Sequence, residues 1–485
     1  MVWAYAKVQQ NAPALFNHFA NGDIMQMKRL DSQEISNILW SYAKAGHKSP
    51  TLFDDAAGII IRNFHRFTPQ EISNTLWSYA KSGNHSPELF DAAADEVIKK
   101  LDTLKHPRDI SNTVWSYARA SHSSPKLFDA MAVAASKKMR RFRPQGIAIT
   151  LFSYAKMAYR SPKLFGTATD EVMKNLDKFK PQEISTILYS CAKVRQVSPK
   201  LFDAATDGVI KNLDKFKPQS ISNTVWAYAT ARRVSPKLFD TAAVEAIKKM
   251  GKFRPSDISN TLWSYATFGH PSFEMFDVAI QQAIQNLNAF QEYELCSVLW
   301  ALAAMDYYVE SSIPIFQRIL ELHQLNEYQF SNSSLILLHP VILWFSAEHE
   351  ENIEIPTTLA NECRTAYTKN QVNPSKYPSE LQNDVISTLG TLDLDLRKKI
   401  ICEQTGYIID AIITSESGAE IAVVVDGWNR FVDQVPTGWT LLKRRQLSNL
   451  GGRALLWLPY WEWDELSLKE KANFLEEKIQ TVVSS

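Results

Sequence analysis

Along the first three hundred residues the apolar positions come in short bursts at helical spacing, and nearly every burst is announced by a proline. In one copy Ile72, Leu76, Tyr79 and Ala80 follow one another at steps of four, three and one, which predicts an amphipathic helix. Thr68, Pro69 and Glu71 supply an N-cap, a first-turn proline and a capping-box partner for it, and Gly83 stands where it ends. Ser86 and Pro87 repeat the cap-plus-proline signal and launch a second apolar series through Leu89, Phe90, Ala93, Val97 and Ile98 to Leu101. It closes on Lys99 and Lys100, where cations suit a helix C-terminus. The unit is a helical hairpin.

This unit recurs. Trp40 returns as Trp77, Trp115, Trp226, Trp263 and Trp300, with Phe152 and Tyr189 in the same place, at steps of 37 residues and once 38, and Trp3 extends the series upstream. The proline eight places before this aromatic slot recurs as Pro107, Pro144, Pro181, Pro218 and Pro255, and the Ser-Pro start of the second helix at Ser49, Ser124, Ser161, Ser198 and Ser235. Self-similarity at this period predicts a mainly α fold, a right-handed α-solenoid of about eight hairpins over residues 1–304, each burying its apolar face against its neighbours. Met1 falls inside a first helix, so the sequence reads as lacking its first cap and any N-terminal targeting peptide.

After Trp300 the register loosens. Phe316 comes three places late for a second helix and Glu348 to Glu354 carry four carboxylates, so residues 305–370 are expected to be irregular capping helices. The turn to Asn, Pro, Ser and Lys from Gln371 to Pro378 predicts a linker over 371–400. Residues 401–485 then read as a small α/β module: β-branched runs at Tyr407 to Thr414 and Glu420 to Asp426, a basic helix through Leu441, Lys443, Arg444, Arg445 and Leu447, a strand from Ala454 to Leu458, and a last helix from about Ser467 to Ile479.

Charge divides the chain along the same line. Residues 1–304 hold 38 Lys and Arg against 27 Asp and Glu, while the rest holds 15 against 25, so a net charge of +1 covers halves of +11 and −10. Residues 101–250 carry 26 basic and 12 acidic side chains, an electrostatic footprint for phosphate, although lysines such as Lys137, Lys138, Lys248 and Lys249 also close second helices. Four scattered cysteines without a CxxC or a histidine pair indicate neither a disulfide framework nor a zinc site, and no cofactor or metal is expected. The longest apolar run, Leu335 to Phe345, is broken by His339 and Pro340 and falls short of the roughly 20 residues a spanning helix needs, so no membrane partner is expected.

On a helical wheel the positions three before, one after and four after the aromatic slot lie opposite the apolar arc. They are Asn37, Ser41 and Lys44, then Asn74, Ser78 and Lys81, then Asn112, Ser116 and Arg119. The first position varies between copies: Ile149, Thr186, Asn223, Asn260 and Ser297 follow. Variation inside a fixed frame suits a modular reader of a linear polymer, since amides and hydroxyls pair with the edges of unstacked bases. A cation row, Lys44, Lys81, Arg119, Lys156 and Lys193, suits backbone phosphates and stops at Thr230 and Thr267. A solvated helix face is the alternative reading of the same polar row. The aromatic slot borders the apolar arc and reads as packing between hairpins before a stacking platform for bases.

In the C-terminal module, Ile421 to Gly427, the Thr437-Gly438 turn, Leu442-Lys443-Arg444, the Gly451-Gly452 pair and Leu458-Pro459-Tyr460-Trp461-Glu462-Trp463 resemble the RAP domain over residues 405–478. The upstream array resembles the heptatricopeptide and octotricopeptide repeats that precede such domains in organellar RNA-binding proteins. The resemblance implies a mitochondrial or chloroplast factor that binds single-stranded RNA, at about one base per repeat and eight or nine nucleotides in all. It would act in RNA processing, stability, ribosome assembly or translation, with RNA-processing or ribosomal proteins as further partners.

The RAP domain also resembles the restriction-endonuclease-like fold, which places acidic residues and a lysine around Mg²⁺. Asp410 suits the first acidic place, but the second strand offers Val424 where a carboxylate is usual and Asp426 where the lysine belongs. Trp428-Asn429-Arg430-Phe431 lacks the histidine RAP domains often carry there. The expectation is therefore a binding protein and not an enzyme, with Asp426 accepting hydrogen bonds from the turn at Gly427, and with Asp426, Arg430, Lys443, Arg444 and Arg445 as the module's candidate contacts to RNA or a partner. A protein-interaction scaffold and a metal-dependent RNA endonuclease stand as the alternatives.

Overall fold

The computed structural model describes Ala6, Phe16 and residues 29–484, apart from 234, 326–328, 352, 373–379 and 416–417. The expectations attached to Trp3 and to the Asn- and Pro-rich core of the linker lie outside these residues. The chain divides into two compact units, 1–216 and 217–485.

The first unit is a run of hairpins: α1 (Ser32–Ala45) with α2 (Pro50–Asn63), α3 (Pro69–Ser82) with α4 (Pro87–Lys99), α5 (Pro107–Ala120) with α6 (Pro125–Lys138), α7 (Pro144–Lys156) with α8 (Pro162–Lys174), and α9 (Pro181–Lys193) with α10 (Pro199–Asn212). First helices pack on first helices in series, and second helices form a parallel series beside them. Thr68 caps α3 as the sequence implies: its hydroxyl accepts from the Glu71 amide at 3.3 Å while the Glu71 carboxylate accepts from the Thr68 amide at 2.8 Å. Gly83 then ends α3 in the left-handed region at φ +77°, which an L side chain rarely adopts. At the second helix the expectation holds only in part. Pro87 occupies the first turn of α4, but the Ser86 side chain makes no capping bond and its carbonyl alone enters the helix, accepting from Phe90 at 3.2 Å.

Adjacent hairpins are joined by a repeated latch. The phenol two places after the aromatic slot donates to the backbone carbonyl of a phenylalanine in the preceding second helix: Tyr42 to Phe16 at 2.6 Å, Tyr79 to Phe53 at 2.5 Å, Tyr154 to Phe128 at 2.6 Å. These phenols are buried, and burial raises their pKa, to about 12 for Tyr42.

The second unit continues with α11 (Pro218–Ala231) and α12 (Pro236–Lys249), α13 (Pro255–Phe268) and α14 (Phe273–Gln285), and α15 (Glu292–Met305) and α16 (Ile313–Gln324), then α17 (Asn332–Leu343) and α18 (Thr357–Val372). Helix α17 stacks on α15, prolonging the first-helix series. Among the described residues no helix is long and apolar enough to cross a membrane.

A four-stranded sheet follows in the order β1-β2-β3-β6, with β1 (Asp395–Ile401), β2 (Ile408–Thr414) and β3 (Glu420–Asp426) antiparallel and β6 (Ala454–Pro459) parallel to β3. Between β3 and β6 the chain makes a two-residue hairpin, β4 (Phe431–Val432) to β5 (Val435–Pro436), and then α20 (Gly438–Leu450). Alternation along β3 fills both faces. Ile421, Val423 and Val425 pack with Val385 and Leu389 of α19 (Glu380–Leu389) and with Leu475 and Ile479 of α22 (Leu468–Ser484), which follows the short α21 (Tyr460–Trp463). Ala422 and Val424 face Leu447 of α20 and Tyr367 of α18. Helix α19 and all of β1 but Ile401 fall within the stretch the sequence assigns to a linker, yet β1 is a strand of this sheet and α19 packs against it.

Candidate nucleic-acid interface

With first helices stacked side by side, one stripe of each stays open. In α3 it consists of Gln70, Asn74, Trp77 and Lys81, spaced four, three and four residues apart and therefore within an arc of about 60°. Lys44, Lys81, Arg119, Lys156 and Lys193 are exposed at the helix C-terminal end of the stripe, and Asn37, Asn74, Asn112, Ile149, Thr186, Asn223 and Asn260 are half-buried in its middle. The amide row and the cation row thus share one face in the first unit, while in the second Asn223 and Asn260 are followed by Thr230 and Thr267 in place of a cation.

The serine row does not belong to it. Ser41, Ser78 and Ser116 are buried, and each hydroxyl donates to the carbonyl four residues back, Asn37 at 2.5 Å, Asn74 at 2.6 Å and Asn112 at 2.7 Å. One residue past the aromatic slot is a 100° rotation, which carries the side chain off the open stripe and under the neighbouring helix. Ser297 is buried as well, and the Thr186 hydroxyl is engaged by the Gln182 carbonyl at 2.7 Å.

Two further rows border the amides and cations. The position seven before the slot is exposed in every hairpin from Gln33 through Gln70, Arg108, Gln145 and Gln182 to Gln219. It lies about 20° from the slot, so the same wheel held the signal. The aromatic slot is packing and surface at once: Trp40 and Trp77 have ring centroids 6.4 Å apart, Trp77 and Trp115 6.2 Å, and Trp226 and Trp263 6.3 Å, yet each indole remains half-exposed. The result is a ladder of aromatic edges flanked by amides and closed by cations, a surface suited to unstacked bases and their phosphates.

The module's candidate residues are placed less uniformly. Asp426 is buried, and its carboxylate accepts from the Trp457 indole on β6 at 2.6 Å, not from the turn at Gly427. Arg430 lies 3.9 Å from the same carboxylate, and the Arg444 guanidinium covers Trp457 with its carbon 3.1 Å from the ring centroid. Arg445 is committed internally: it donates to Glu348 at 2.9 Å and to the Ala303 carbonyl at the end of α15 at 2.8 Å, which removes it from the candidate phosphate contacts. Asp410 is buried with both oxygens engaged, by the Val425 amide at 2.8 Å and Gln382 at 3.0 Å, and burial raises its pKa. Lys443, half-buried, lies within electrostatic range of it.

Compared with known families, residues 1–200 match the model of the RNA-editing substrate-binding complex 6 protein, and residues 144–339 match that of the RNA-editing substrate-binding complex 8 protein. No curated protein matches the chain.

Proposed function

We propose that this chain binds single-stranded RNA along the open stripe of its first helices and serves RNA processing as a binding component without catalysis. The observation that carries the reading is the recurring stripe of Gln70, Asn74, Trp77 and Lys81 and its counterparts, in which an aromatic edge returns beside polar side chains from Trp40 to Trp263 and a cation able to meet phosphate closes each copy from Lys44 to Lys193. The two matching family models support it, since both carry the name of an RNA-editing substrate-binding complex, and protein partners in such an assembly belong to the proposal. So do the heptatricopeptide-like and RAP-like character of the two parts and an organellar site of action. The apolar Val424 where a second metal-binding carboxylate would stand supports a module that binds and does not cleave, because one carboxylate alone is a poor site for Mg²⁺.

Charge reversal tests the reading. Lys81→Glu, Arg119→Glu and Lys156→Glu together are expected to weaken binding of a randomised single-stranded RNA pool and to lower the slope of log affinity against log salt by about 2. Unchanged affinity and slope would instead indicate a scaffold that holds partners through apolar hot spots.

A further inference from the structure

The cation row stops for a reason visible in the second unit. Where earlier hairpins carry Lys or Arg, the last three carry Thr230, Thr267 and Ala304, and the C-terminal module lies against this end of the helices. A Cβ on Gly438 would stand 2.2 Å from the Ala266 carbonyl oxygen in α13 and 3.3 Å from Ala304 Cβ in α15, and Gly269, which ends α13, faces Pro436 and Leu441. Trp439 packs on Trp300 with ring centroids 4.6 Å apart, so the last rung of the ladder is fully buried while Trp226 and Trp263 remain half-exposed. Small residues in the array make room for a module that brings its own cations.

The same module reaches back to α11 through Trp428. This indole is 71% exposed, the most exposed large hydrophobic side chain among the described residues. Arg232, the left-handed residue that ends α11, holds its guanidinium carbon 5.5 Å from the ring centroid. The turn that carries the ring is pinned: the Arg430 amide donates to the Gly427 carbonyl at 2.9 Å, and the Arg430 carbonyl accepts from the Thr437 amide at 2.9 Å and the Thr440 hydroxyl at 3.0 Å. A large ring this exposed contributes almost nothing to the core. A flat indole face beside the Arg232 guanidinium disfavours a cationic ligand and suits a nucleobase with its phosphate, which can lie on the ring while its charge faces the cation.

We propose that Trp428, beside Arg232 at the end of α11, stacks one nucleobase of the bound RNA. The inference rests on the RNA-binding reading above, and its test separates the two. The full chain is titrated with single-stranded RNA of about 12 randomised nucleotides carrying 2-aminopurine at either the 5′ or the 3′ terminus. One terminus and not the other is expected to lose fluorescence on binding, Trp428→Ala is expected to restore it and weaken affinity about tenfold, and Trp428→Phe to retain most of both. Binding with a quench that survives Trp428→Ala, or with no quench at either end, overturns the stacking site and leaves the array reading intact. Failure of the native chain to bind any of the pool overturns both.

Discussion

His339 shows how one side chain can tie stability to pH. Its Nε2 donates to the Thr405 carbonyl at 2.8 Å, its ring lies against Tyr367, and burial pushes its pKa down to about 4. Between that value and the ordinary histidine value near 6.5 the unfolded chain takes up a proton that the folded chain refuses, so stability is present at neutral pH and falls as the pH drops through this window. At pH 5 the loss amounts to about 2 kcal/mol. Urea midpoints at pH 7 and pH 5 should therefore separate the native chain from His339→Gln, which keeps a donor but does not titrate; an equal acid loss in both would place the titration elsewhere. The same scale explains what the sequence concealed at the candidate interface. Asn74 and Lys81 were legible because a 3.6-residue period fixes their direction, but Ser78 looks polar in sequence while its hydroxyl serves the carbonyl of Asn74. Trp77 borders the apolar arc in sequence, and its ring both packs between Trp40 and Trp115 and stays half-exposed.

At the scale of elements, the hairpins were legible because their boundaries are local chemistry: a proline in the first turn and a left-handed residue at the end need no knowledge of distant neighbours. Strand β1 was not. Asp395-Leu396-Arg397-Lys398-Lys399-Ile400-Ile401 is an edge strand, mostly exposed and charged, and only its pairing with β2 makes it a strand. A lysine at a helix end suits the helix dipole in general, yet Lys100 does more. Its ammonium donates to the carbonyls of His65 at 2.8 Å and Phe67 at 2.6 Å in the turn of the preceding hairpin, and its hydrogen bond holds the buried Glu96 carboxyl below the usual range. Lys100→Met removes charge-assisted bonds from several backbone groups at once and is expected to cost roughly 1.5–3 kcal/mol in chemical denaturation. Lys137→Met, at an exposed helix end, is expected to stay within about 0.5 kcal/mol, and comparable losses for both would show that Lys100 is only a surface charge.

For the second unit as a whole, the question is whether its module is part of the array or a passenger. The helix α20 begins at Gly438 because no side chain fits there: an added methyl meets the Ala266 carbonyl oxygen at 2.2 Å, and the obstacle is backbone at the end of α13, which cannot swing aside as a side chain can. Around this approach lie the Trp439–Trp300 stack and the Arg445 bonds to Glu348 and Ala303, so a shift of α20 large enough to admit a methyl disturbs all of them together. Gly438→Ala is accordingly expected to speed amide hydrogen exchange in residues 292–305 and 438–450 by at least about tenfold, which corresponds to about 1.4 kcal/mol of lost protection, while α1 to α9 exchange as before. Gly166→Ala in α8, where an added methyl meets nothing, is the matching control and should leave exchange unchanged or slightly slower. If Gly438→Ala leaves residues 292–305 protected, the module does not depend on this contact; if it releases them, the module is what seals Trp300 at the end of the ladder.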